Sequence, residues 1–187
     1  MREPLAFRLR PEKINDILGQ EDLVGKNGVI RKCLENDTIF SCIFFGPPGT
    51  GKTTLARVIA SELKKPYRKF NAVTGNKKDL DAIFTEAQLS GQLILICDEV
   101  HRLNKDKQDL LLPHVEDGSI ILIGATTANP YHSINPAIRS RCHLFEFKPL
   151  NNDDVKKGIK NALASKDGLD NKYTIDDDAL DLICDTV

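Results

Sequence analysis

The 187-residue sequence has almost no surplus charge of either sign: 26 Lys and Arg stand against 27 Asp and Glu, leaving −1 at pH 7. An overall basic field for gripping nucleic acid is thereby excluded, and any DNA contact has to be local. No apolar run is long enough for a signal peptide or a membrane span, so no membrane partner is expected. The five cysteines (33, 42, 97, 142 and 184) show no metal-ligand pairing, and three lie in or beside apolar runs. Reduced, partly buried thiols in a cytoplasmic protein are the simplest expectation. No internal repeat or low-complexity tract occurs. Hydrophobic residues make up 41% and charged residues 28%, ordinary for a soluble chain with one ample core and the start of a second unit.

Against these absences stands one dense stretch, Gly46-Pro47-Pro48-Gly49-Thr50-Gly51-Lys52-Thr53-Thr54. An apolar run, Ile39 to Phe45, precedes it and reads as a buried strand. Leu55, Val58, Ile59 and Leu63 follow at helical spacing. A Gly-rich loop between strand end and helix start is where a phosphate-binding loop has to sit. Glycines let the backbone wrap a phosphate without Cβ clashes, with N–H groups pointing inward. The helix N-terminus adds partial positive charge. Lys52 is expected to reach the β- and γ-phosphates, and the Thr53 hydroxyl to bind Mg²⁺. The chain is expected to bind a nucleoside triphosphate.

The rest of the pattern alternates. Residues 4–19, with prolines at 4 and 11, read as an extended arm, followed by a helix around Val29 to Leu34. Pro66 to Ala72 reads as a short strand, and Leu80, Ile83, Phe84 and Ala87 mark one apolar helix face. Leu93 to Cys97 reads as a strand covered on both faces. A helix from Lys105 to Glu116 follows, with Pro113 expected to bend or end it. Ile120 to Ile123 and Leu144 to Phe147 read as further strands. The expected architecture is therefore α/β: a five-stranded parallel sheet between helices. From Asn151 the texture changes to an amphipathic helix marked by Val155, Ile159 and Leu163, and Thr174-x-x-Asp177 reads as a capping box opening another. The acidic residues crowding that end read as a solvated face, not a metal site. The expected division is a nucleotide-binding core over 1–150, including the arm, and the start of a helical lid over 151–187.

Two further groups can carry chemistry. Asp98-Glu99 closes the buried strand, where Asp98 can hold the Mg²⁺ bound by Thr53 and Glu99 can polarise a water for in-line attack. Strand-end capping is the bland alternative. Gly124-Ala125-Thr126-Thr127 closes the next strand, where a hydroxyl could touch the γ-phosphate or merely bond a loop. Arg141, in Ser140-Arg141-Cys142, reads on its own as a surface residue. Lys105 and Lys107 could face DNA or a solvated face.

Together, Gly46 to Thr54, Cys97-Asp98-Glu99-Val100-His101, Gly124 to Thr127 and Ser140-Arg141-Cys142 resemble an AAA+ ATPase of the clamp-loader/RuvB branch. The stretches Pro4 to Pro11, Gly19-Gln20, Asp98 to Lys105, Leu112-Pro113-His114-Val115-Glu116-Asp117-Gly118 and Gly124-Ala125-Thr126-Thr127-x-Asn129-Pro130 resemble, more closely, the replication-associated recombination protein A family (MgsA; related to the Werner-helicase-interacting ATPase). The resemblance spans nearly the whole chain. It implies that Lys52 and Thr53 belong to Walker A, Asp98 and Glu99 to Walker B, and Thr127 to sensor 1. It further implies that Arg141 is an arginine finger acting in trans, that Asn71 restrains the catalytic glutamate, and that Arg10, Pro11, Ile17, Leu18 and Gly19 pack on adenine. His101 is expected only to pack.

By this resemblance the chain is an ATP- and Mg²⁺-dependent ATPase that remodels DNA in replication-fork maintenance and recombination, a homo-oligomer at full length. A clamp-loader subunit and a nucleotide-gated, non-hydrolysing adaptor are the alternatives; Glu99 and Arg141 argue against the adaptor. Family members carry a sensor-2 arginine and an assembly region beyond the point where this sequence stops, so the chain is expected to be a fragment. Adenine is expected over guanine, on the view that a guanine-reading Asn-Lys-x-Asp motif is missing.

Overall fold

The computed structural model describes residues 3–186. Its elements run α1 (Leu5–Arg8), α2 (Glu21–Val24), α3 (Val29–Glu35), β1 (Cys42–Phe45), α4 (Lys52–Glu62), β2 (Tyr67–Asn71), α5 (Lys77–Ser90) and β3 (Leu93–Asp98). They continue with α6 (Lys105–Glu116), β4 (Ile120–Thr126), α7 (Pro130–Ser133), α8 (Pro136–Arg139), β5 (His143–Glu146), α9 (Asn152–Ala164) and α10 (Asp177–Thr186). The five strands are parallel in the order β2-β3-β4-β1-β5.

Period-two side-chain alternation divides the core into two layers. On β3, Leu93, Leu95 and Cys97 join α5 and α6 on one face, while Ile94 and Ile96 join α4 on the other. Strand β4 splits the same way, Ile120 and Leu122 against Ile121 and Ile123. Covered on both sides, these strands have no polar face to show, which is why their sequences are continuous apolar runs. Strand β1 lies between β4 and β5, so the loop that follows it leaves from the interior of the sheet.

Local expectations failed where short polar interactions compete with pattern. The N-terminal arm is not simply extended. It forms α1 and a 3-10 turn over Ile14–Asp16, where the Asp16 carboxylate accepts from the Lys13 N–H at 2.9 Å. The Ile14 side chain is buried and its N–H donates to Glu62 on α4 at 2.7 Å, fastening the arm to the core. Strand β1 starts at Cys42, later than the apolar run suggests, because the Ser41 hydroxyl accepts from the Leu122 N–H at 3.0 Å. Helix α6 runs through Pro113 to Glu116, held by buried Leu111 and Val115 on either side of the missing donor. The expected capping box at Thr174 does not form, since α10 begins only at Asp177.

Candidate active site

The loop between β1 and α4 is shaped by what glycine alone tolerates. Gly46 has φ +139°, and a Cβ there would lie 2.3 Å from the Phe147 carbonyl oxygen. Gly51 has φ +94° and forms the N-cap of α4. With these turns made, Pro48, Gly49, Gly51, Lys52, Thr53 and Thr54 line a cavity of about 360 Å³ together with Glu99 and Thr127. Three separate sequence stretches therefore meet at the C-terminal ends of β1, β3 and β4, where parallel sheets bind ligands.

Lys52 is 8% exposed and folds back on the loop. Its ammonium donates to the carbonyls of Gly46 at 2.9 Å and Pro47 at 2.5 Å. Desolvation by burial lowers its pKa, opposed by the Glu99 carboxylate. Removed from water and satisfied only by neutral oxygens, these two carbonyls and the Thr50 hydroxyl at 3.3 Å, this cation is primed to exchange them for a full negative charge. Beside it, the Thr53 hydroxyl donates to Asp98 Oδ1 at 2.7 Å. Two hard oxygen donors side by side at the cavity suit a divalent cation that takes its remaining ligands from phosphate and water. No group of three or more His, Cys, Asp or Glu forms a metal cage among the described residues.

Glu99 has φ +53°, an unusual conformation for a residue with a Cβ. It starts a 3-10 turn over Val100–Arg102, and its carbonyl accepts from the Arg102 N–H at 2.7 Å. The turn packs against β4 at Gly124, where an added Cβ would stand 3.0 Å from Val100 Cγ1. His101, expected only to pack, instead places Nδ1 at 2.8 Å from Thr126 Oγ1 and 3.5 Å from Glu99 Oε2. Thr126 is buried, while the next residue, Thr127, faces the cavity. Sequence reasoning missed the His101–Thr126 pair. The available signal was the doublet itself, since consecutive residues in extended chain point to opposite sides.

Other expected residues lie outside this cavity. The Asn71 carboxamide oxygen accepts from the N–H groups of Val73 at 2.8 Å and Thr74 at 3.2 Å, closing the turn after β2. It makes no hydrogen bond to Glu99 among the described residues, a local turn having claimed it first. Arg141 forms an ion pair with Glu116 and donates to the Ala137 carbonyl at 2.7 Å. The Arg10 guanidinium sits over the Phe7 ring, 4.7 Å from its centroid. Ile17 packs on the core layer with α4. Pro11 and Leu18 line a separate cleft of about 520 Å³ against Gly158, Asn161 and Ala162 of α9, and Gly19 abuts Leu150 and Asp154.

Two expectations about neighbouring loops are corrected. Lys107 is not a free DNA-facing cation: its ammonium donates to the Gly75 carbonyl at 2.6 Å and lies over the Phe70 ring. A guanine-reading spelling is present after all, at Asn76-Lys77-Lys78-Asp79. The structure uses it as a reciprocal capping box on α5: the Asn76 N–H donates to Asp79 Oδ2 at 2.8 Å and Asn76 Oδ1 accepts from the Asp79 N–H at 3.1 Å.

Comparison with known proteins agrees with this geometry. Residues 9–137 match the family described as the Holliday junction DNA helicase RuvB P-loop domain. The chain is 51% identical over 181 residues to replication-associated recombination protein A of Bacillus subtilis, covering 96% of this chain and 43% of that protein. It is 38% identical over 182 residues to the Dictyostelium discoideum ATPase WRNIP1, covering 95% of this chain and 21% of that protein. Among solved structures, a Thermotoga maritima RuvB variant superposes with TM-score 0.80 at 30% identity, covering 95% of this chain and 59% of that one. The chain thus spans less than two thirds of the length of each of these relatives, and less than half of the two curated ones. With its β1–α4 loop, Asp98-Glu99 pair and 2-3-4-1-5 sheet, the chain belongs to the RuvB P-loop domain family of AAA+ ATPases, and over nearly its whole length it is similar to replication-associated recombination protein A.

Proposed function

We propose that this chain binds ATP with Mg²⁺ and hydrolyses it, as the motor part of a remodeller acting on DNA in replication-fork maintenance and recombination. The observation that carries the reading is the convergence of Lys52, Thr53, Glu99 and Thr127 on one cavity, with Asp98 hydrogen-bonded to Thr53. The loop N–H groups and Lys52 hold the phosphates. Thr53 and Asp98 would hold Mg²⁺, which neutralises phosphate charge when bound. Glu99 accepts a proton from the attacking water, and Thr127 orients that water or the γ-phosphate. A non-hydrolysing adaptor has no use for Glu99 and Thr127 at that cavity.

Arg141 serves a neighbouring copy, which fits its exposed position away from its own chain's cavity. Arg10, Pro11, Ile17, Leu18 and Gly19 form the adenine side, supported by the cleft that Pro11 and Leu18 share with α9. Asn71 is reserved for a rearranged loop, since here its side chain closes a turn. Residues 1–150 form the nucleotide core and 151–187 the start of the lid; after β5 the regular elements are α9 and α10 alone among the described residues, and Val187 lies outside them. No helix among the described residues is long and apolar enough to cross a membrane, and the proposed work belongs in the cytoplasm on DNA.

A nucleotide titration with parallel turnover measurements tests the proposal on Lys52→Ala and Glu99→Gln. Lys52 contacts ground-state phosphates, whereas Glu99 acts only on water, so the two losses separate. Lys52→Ala loses ATP affinity; Glu99→Gln keeps affinity and loses turnover. Equal loss of affinity in both variants overturns the role given to Glu99.

A further inference from the structure

We infer that His101 is the positioning residue for Glu99, and that it ties this carboxylate to the end of β4 through Thr126. The inference rests on the reading of Glu99 as the group that activates water.

Glu99 needs an outside restraint. Its backbone sits at φ +53° at the head of a 3-10 turn, and its side chain is 43% exposed, so neither a helix nor tight packing holds the carboxylate. Besides the Lys52 charge across the cavity, the side chain beside it is His101, only 15% exposed, with Nδ1 at 3.5 Å from Glu99 Oε2. That separation exceeds a hydrogen bond, but contacts of this kind tighten when a catalytic complex forms. The second anchor is already tight: His101 Nδ1 lies 2.8 Å from Thr126 Oγ1, and Thr126 is 1% exposed. The same hydroxyl oxygen accepts from the Ala128 N–H at 2.9 Å. A hydroxyl oxygen has two lone pairs, so it can accept from Ala128 N–H and from an Nδ1–H together. The carboxylate oxygen of Glu99, 3.5 Å from Nδ1 on its other side, suits the same tautomer, with the Nδ1 proton held by Thr126 Oγ1 and facing Glu99.

Thr126 immediately precedes Thr127, the β4 hydroxyl at the cavity. The close approach of Val100 to Gly124 holds the 3-10 turn on β4, so His101 and Thr126 cannot drift apart independently. One imidazole therefore links the water-activating group on the β3 side to the phosphate-facing threonine on the β4 side. A shift at Thr127 on nucleotide binding passes to Glu99 through Thr126 and His101. Asn71, engaged with Val73 and Thr74, supplies no such link here.

The experiment compares wild type, His101→Ala, His101→Gln, Thr126→Val and Glu99→Gln by ATP titration and by single-turnover hydrolysis at high protein concentration. His101→Ala is expected to lower the hydrolysis rate on the order of ten- to a hundredfold while ATP affinity stays within about twofold, the signature of misplacement and not of lost binding. His101→Gln restores part of the rate because its amide N–H can reach the same two oxygens, and Thr126→Val falls between wild type and His101→Ala. Independently of turnover, the ring ¹⁵N resonances of His101 report the proton on Nδ1 in wild type and move in Glu99→Gln. An unchanged rate in His101→Ala beside an inactive Glu99→Gln overturns the role of His101 alone. A fully active Glu99→Gln overturns the reading of Glu99 and this inference with it. If His101→Ala does not fold, His101→Gln and the ring resonances decide, and resonances indifferent to Glu99→Gln overturn the contact.

Discussion

Thr53 and Asp98 are 45 positions apart in the sequence, yet the threonine hydroxyl donates to the aspartate carboxylate at 2.7 Å. The contact joins the first turn of α4 to the last residue of β3. It holds side by side the two oxygen groups proposed above to take Mg²⁺, which would then not have to be brought together on binding.

Replacing Thr53 by Ala should raise the Mg²⁺ concentration needed for half-maximal hydrolysis by about tenfold or more. A hydroxyl interaction with a charged group is worth about 1.5–3 kcal/mol, and each 1.4 kcal/mol is about tenfold. A Mg²⁺ titration at saturating ATP measures this, and an unchanged midpoint would remove Thr53 from the cation site.

If Arg141 works on a neighbour, turnover per chain should rise with protein concentration. Arg141→Ala should leave ATP affinity nearly unchanged and erase that rise. Where such a finger has been removed, turnover drops about a thousandfold or more. Brisk hydrolysis by a dilute monomer, indifferent to Arg141→Ala, would mean that one chain holds a complete site.

The capping box at the start of α5 makes a separate demand on Asn76. Asn76→Ala should lower folding stability by about 1 kcal/mol, the usual worth of an N-cap, and leave the preference for ATP over GTP untouched. Urea unfolding and nucleotide competition measure the two effects. A change in base preference would mean that Asn76 reads the base after all.

Burial pushes the Cys142 thiol up to about 12, from an ordinary 9.0. Cys42 and Cys97 are raised for the same leading reason. The fold therefore favours the neutral thiol: this contribution to stability is full below about pH 9 and is lost as pH rises towards about 12. Iodoacetamide at about pH 8 should leave Cys142 unlabelled in the folded chain and modify it promptly in urea. Fast labelling of folded chain would show the site to be open.

The amino-acid pattern alone determined the architecture and the phosphate loop. The Gly-rich loop depends on local backbone freedom, which glycine position reveals directly, and the continuous apolar run Leu93 to Cys97 reads as a strand covered on both faces. Asp98, Glu99 and Thr127 were legible for the same reason: parallel strands deliver their C-terminal ends to one edge. What only the tertiary structure decided are the partners of ambiguous polar side chains. Asn71 had equal chemistry for restraining Glu99 or for closing its own turn, and the nearer N–H groups of Val73 and Thr74 took it. Asn76 and Asp79 spelled a base-reading motif and became a cap, because free N–H groups at a helix start stood within reach. Lys107 turned to the Gly75 carbonyl instead of solvent. His101, unremarkable in sequence, acquired Thr126 and Glu99 as neighbours only once β3 and β4 lay side by side. Composition and periodicity determine which residues are buried; which hydrogen bond a polar group makes is settled by distance, and distance exists only in the folded chain.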